Sequence, residues 1–140
     1  MKYPYLIAIL ALLLLVAHPV FAGGIKVIAN PSVGASSVSA DELKGLFLGT
    51  KTSLSDGSHV EPVLEKGGTT HEEFLKDYLG KTDAALQTYY RSLVFTGKGA
   101  MPKTMAGDSE VIAYVAKTKG AVGYVSAGAS TSGVKTLEVK

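Results

Sequence analysis

Residues 60–80 read VEPVLEKGGTTHEEFLKDYLG, and this stretch decides the fold. Val60 to Leu64 is short and apolar apart from Glu61, with β-branched Val60 and Val63, which predicts a strand. Pro62 has no N–H to give a ladder, so it marks a strand edge or a strand start. Gly67 and Gly68 then break the chain before Thr69 and Thr70. Thr69 with Glu72, and Thr70 with Glu73, each fit a capping box, so the cap falls on one of two adjacent positions. Phe74, Leu75, Tyr78 and Leu79 recur at helical spacing, and Gly80 is a natural stop. A strand, a glycine turn and an amphipathic helix make a β-α unit.

The same alternation continues on both sides. Upstream, Ile25 to Ala29 is a β-branched strand ended by Asn30-Pro31, and Ser32 to Ser37 is a small, polar loop. Ser39 to Gly49 predicts a helix with Ser39 and Glu42 as its capping box and Leu43, Leu46 and Phe47 as its inner stripe. Lys51 to Ser58 is a loop that turns at Asp56-Gly57. Downstream, Thr82-Asp83 caps a third helix, and Gly97 to Gly107 reads as a loop around Pro102. Asp108 or Ser109 caps a fourth helix that Gly120 ends; Ala121 to Val125 and Val134 to Val139 are the last strands. The expected fold is α/β, a small mixed sheet flanked by helices near 39–48, 70–79, 83–95 and 109–118.

The first 22 residues stand apart. Lys2 precedes an unbroken apolar run from Leu6 to Ala17, and Val20-Phe21-Ala22 places small or modest side chains at a cleavage site. This order is that of a secretory signal peptide. Twelve helical residues reach about 18 Å, short of a ~30 Å hydrocarbon core, so a membrane anchor is disfavoured. The expected domain is residues 23–140, outside the cytoplasm. Much of the mean hydropathy of +0.24 comes from this leader.

Composition removes several classes. The 140 residues hold no cysteine, which excludes disulfide scaffolds, thiolate metal sites and cysteine nucleophiles. A formal charge of +2, with 19% charged residues, gives no nucleic-acid signature. His59 and His71, twelve residues apart, make a poor metal pair. No G-x-S-x-G elbow occurs, and no set of nucleophile, base and orienting group can be assembled, so neither an enzyme nor a cofactor is expected. Tyr89 and Tyr90 read as packing residues and Arg91 as a surface ion-pair partner. The informative constellation is Gly67 to Thr70. Free amides at a helix start, with the helix dipole behind them, attract anions. Glycine lets the backbone approach, the threonine hydroxyls add donors, and His71 in the first turn adds a ring donor. The candidate ligand residues are therefore Gly68, Thr69, Thr70 and His71. An ordinary capped helix after a flexible turn is the competing reading of the same residues.

Several segments in fixed order resemble one family. Ser39 to Gly49 resembles its Glu-Leu…Phe-x-Gly helix, Asp56-Gly57 with Val60 to Val63 its turn and Pro-Val strand, and Phe74 its Arg-x-x-Phe helix. Phe95-Thr96-Gly97-Lys98-Gly99, Pro102 and Gly120 to Val125 complete the series. The sequence is similar to phosphate-type substrate-binding proteins of ABC transporters, with the type II periplasmic binding fold. The resemblance implies a periplasmic protein that binds phosphate or a related oxyanion and works with transporter membrane subunits. It covers a single lobe, where full members hold ligand between two, and a second chain, as in a homodimer, is one way to cover such a site. Leu54 stands where the family has Trp, and His71 where it often has Arg, which removes a permanent charge. The alternative is an interaction module that kept the fold, lost the ligand and docks a transporter or sensor partner.

Overall fold

The computed structural model describes residues 24–140; the segment read above as a signal peptide lies outside them. In chain order the elements are β1 (Ile25–Ala29), β2 (Ser37–Val38), α1 (Ala40–Leu48), β3 (Glu61–Glu65), α2 (Thr69–Phe74), α3 (Asp83–Phe95), β4 (Lys103–Met105), α4 (Asp108–Lys117), β5 (Ala121–Ser126) and β6 (Lys135–Val139). A turn of π-helix, Leu75–Leu79, extends α2 and closes with the Gly80 N–H on the Leu75 carbonyl. The strands form one mixed sheet in the order β2-β6-β1-β5-β3-β4. β1 is antiparallel to both β5 and β6, whereas β3 runs parallel to β4 and β5.

Strand alternation sorts the core into two layers. Val27, Ala29, Leu64, Val122 and Tyr124 face α1, α2 and α3, where they meet Leu43, Phe47, Phe74, Leu86 and Tyr90. Ile28, Val63, Ala121 and Val125 face the other way, onto Val111 and Val115 of α4. Both faces are covered, so the central strands are apolar on both sides. Each buried aliphatic or aromatic side chain contributes about 1.5–3 kcal/mol. Gly123 lets α4 come close, since a Cβ there would sit 2.8 Å from Val111 Cγ1.

Local chemistry explains the helix ends that the sequence predicts. Ser39 and Glu42 form the reciprocal capping box of α1, and Gly49 ends it in the left-handed region at φ 77°. Thr82 caps α3 through the Ala85 N–H. The Tyr89 and Tyr90 hydroxyls donate to the carbonyls of Leu48 and Phe47, which pins α3 to the end of α1. Arg91 is exposed and has no ion pair among the described residues, contrary to the expectation.

Three further expectations are corrected. The loop at 32–37 ends in β2, and the loop at 97–107 contains β4; both strands are too short to carry a pattern of their own. The start of α4 is capped by neither Asp108 nor Ser109. Gly107 holds the cap position, because the Asp108 carboxylate is spent on Ser126.

Candidate functional site

β3 delivers the chain to one edge of the sheet, where Lys66 N–H bonds the Met105 carbonyl at the end of β4. The backbone then turns through Gly68 at φ 93°, a region that side chains avoid, so this glycine is required by the turn. A Cβ at Gly67 or Gly68 would meet nothing within 4 Å, which leaves the space before the helix open. Gly68, and neither threonine, is the N-cap of α2, and no side chain caps it. The chain turns one residue earlier than the capping-box pattern implies, so Thr69 and Thr70 already lie within the helix.

The first bond of α2 runs from the Glu72 N–H to the Gly68 carbonyl. The amides of Thr69, Thr70 and His71 precede it and sit at the positive end of the helix. Thr69 is exposed and Thr70 half-buried, so the backbone here is accessible. The arrangement offers neutral donors to an anion.

The His71 ring is not among them. It is 1% exposed, with Nδ1 at 2.5 Å from the Tyr124 hydroxyl and Nε2 at 2.8 Å from Asp83 Oδ1. Tyr124 accepts from the Glu65 N–H, so its own hydrogen goes to His71 Nδ1, and the imidazole donates through Nε2 to Asp83. This corrects the assignment of His71 as a ligand donor. His71 lies three and four residues before Phe74 and Leu75, on the inward stripe of α2. The periodicity carried that signal.

Beside the turn lies a pair of carboxyl groups that the sequence did not single out. Glu65, the last residue of β3, is 4% exposed, and its Oε1 has no hydrogen-bond partner. Burial, and then the neighbouring Asp108, pushes its pKa up to about 8. Desolvation would raise Asp108 too, but hydrogen bonds from Glu65 and Ser126 outweigh it and hold Asp108 low. Ser126 donates to Asp108 through both its backbone N–H and its hydroxyl. The pair therefore carries one negative charge at neutral pH. Lys26 contributes a favourable charge to Asp108, while its ammonium donates to the Ala129 carbonyl.

Chemically, this edge can hold an anion on backbone amides. Among the described residues no cluster of three His, Asp or Glu side chains is placed to hold a metal ion.

Neither a protein-family model nor a curated protein matches the chain. Solved structures do. One is a Clostridium perfringens protein assigned as a phosphate ABC transporter substrate-binding protein, with bound phosphate. It superposes at a TM-score of 0.66 and 16% identity over 84% of this chain and 45% of its own. An ABC-type phosphate transport receptor from Vibrio cholerae gives 0.62 and 17%, over 84% and 46%. PstS from Borrelia burgdorferi gives 0.60 and 13%, over 84% and 47%. The chain thus has the α/β fold of one lobe of the phosphate-type periplasmic binding proteins. It spans less than half the length of these structures.

Proposed function

We infer that the protein is an extracytoplasmic solute-binding module of the phosphate ABC transporter type. Phosphate or a related oxyanion would be held by the amides at Gly68, Thr69 and Thr70, with the Thr70 hydroxyl beside them. The observation that carries this reading is the open, glycine-led start of α2 in a fold shared with a phosphate-bound structure. No bond is made or broken, so the activity is binding and not catalysis. Export follows from the leader, and the exported protein should begin at Gly23. Mass spectrometry of the periplasmic fraction checks this, and retention of Met1 there would overturn it.

Affinity should be modest. Charge-assisted hydrogen bonds are worth about 1.5–3 kcal/mol each. One lobe supplies about three, against association costs of several kcal/mol, which places binding in the millimolar to high-micromolar range. Closure by transporter membrane subunits or by a second copy would tighten it. Phosphate or sulfate titration followed by amide NMR should move Thr69 and Thr70 saturably, and Thr70→Val should weaken the response several-fold. Equal, negligible shifts in both proteins would sink the ligand reading.

A second reading has its own support. Phe95 is 93% exposed at the end of α3, with Val94 and Met101 also open to solvent. Exposed apolar groups of this size suit a docking surface, and an interaction module without ligand would use them.

A further inference from the structure

At the other end of the parallel strands, away from Gly68 to Thr70, the structure holds a cavity of about 530 Å³. Val60, Glu61 and Pro62 at the start of β3 line it, with Lys103 at the start of β4 and Lys119 just before β5. The end of α1 and the loop at 98–102 close its sides, and Leu93 packs under both Gly49 and Gly99. This volume lies within the usual range for small-molecule sites.

The lining divides by chemistry. Leu46, Phe47, Val60, Pro62 and Met101 make an apolar wall, and Lys51, His59, Lys98, Lys103 and Lys119 supply nitrogen donors around it. Among the described residues none of these four lysines has an acidic side chain within ion-pairing distance. Lys103 lies 5.3 Å over the Tyr114 ring. Glu61, the one carboxylate in the lining, already accepts from the Tyr114 hydroxyl. Four ammonium groups against one carboxylate leave a net positive rim around the apolar wall, and a concave surface of that kind attracts anions.

We propose that this cavity binds a small amphipathic organic anion, with its apolar body on the Phe47–Met101 wall and its acidic group among Lys51, Lys98 and Lys119. A bare inorganic anion fits poorly, because it would leave the apolar wall unpaired. The site is independent of the glycine turn and stands or falls separately from it.

The test is amide NMR with 2-naphthalenesulfonate as probe, beside the neutral 2-naphthalenesulfonamide and inorganic sulfate. Saturable shifts are expected at Thr52, Val60, Gly99 and Ala100, with the sulfonate at least tenfold tighter than the sulfonamide. Lys51 and Lys98 are exposed, so the double variant K51Q/K98Q should fold, keep its spectrum elsewhere and lose about tenfold in affinity. Any shift by sulfate at Thr69 and Thr70 reports the other site. No saturable shift at the cavity amides would overturn the proposal. So would equal binding of sulfonate and sulfonamide, or unchanged binding by the double variant.

Discussion

Tyr124→Phe is expected to lower the unfolding free energy by about 2–4 kcal/mol, with the urea slope unchanged. The ring itself stays, and its stack on Phe74, at 3.9 Å between centroids and 9° between planes, survives the change. What goes is the hydroxyl that accepts from the Glu65 N–H and donates to His71 Nδ1. Both partners lie where water does not reach, so a donor and an acceptor are left buried and unpaired. Each such group costs about 1–3 kcal/mol. Asp83→Ala is the informative contrast. It removes the other partner of the same imidazole, but the Asp83 side chain is 51% exposed and water can replace it. That variant should lose about 1 kcal/mol or less. Equal losses from the two substitutions, or a Tyr124→Phe protein as stable as wild type, would show that the hydroxyl does not tie β5, β3 and α2 together.

The chain Glu65–Tyr124–His71–Asp83 also shows where the sequence stops being legible. Helix α1 could be read to the residue because Ser39, Glu42 and Gly49 act within one turn of themselves. Thr82 and Gly80 were legible for the same reason. β2 and β4 were not, since two or three residues become a strand only when β6 or β3 lies alongside. The start of α4 misled because Asp108 has two uses, and the fold chose Ser126, eighteen residues away, over the local cap. His71 was misread through its chemistry, not its position. Its place on the apolar stripe was plain, yet an imidazole invited a ligand role that a buried partner pair already fills.

The cationic cavity was beyond sequence reading altogether, because Lys51, Lys98 and Lys119 come from separate loops. The fold class and the glycine turn were within reach, since both rest on short-range alternation. Glu65 lay between these extremes. It ends a strand buried on both faces, and a carboxyl at such a position must either find a partner or keep its proton.

Keeping the proton has a measurable consequence. Glu65 holds its proton in the folded protein up to about pH 8, against an ordinary value of 4.5. Below about 4.5 both folded and unfolded forms are protonated there, and the folded state bears no penalty. As pH rises towards 8 the unfolded chain ionises and the folded one does not, so stability is lost across that window. Each pH unit between the two values is worth about 1.4 kcal/mol, so the full loss is on the order of 3–5 kcal/mol. Asp108 works in the opposite sense, since its lowered value adds stability that disappears only as pH falls below the ordinary carboxylate range. Between pH 5 and pH 8 the Glu65 effect is therefore unopposed by its neighbour. Glu65→Gln keeps the shape and an N–H donor towards Asp108 but cannot ionise. The variant should match wild type within about 1 kcal/mol at pH 5 and exceed it by about 2–4 kcal/mol at pH 8. Urea unfolding at pH 5, 6.5 and 8 reads this directly, and parallel curves for the two proteins would refute the protonated carboxyl. Anion binding offers a second reading of the same group. Glu65 stands three residues before Gly68, so its ionisation brings a second negative charge to the turn. Sulfate, whose own charge is constant in this range, should bind wild type more weakly at pH 8.5 than at pH 6.5 and the glutamine variant equally at both.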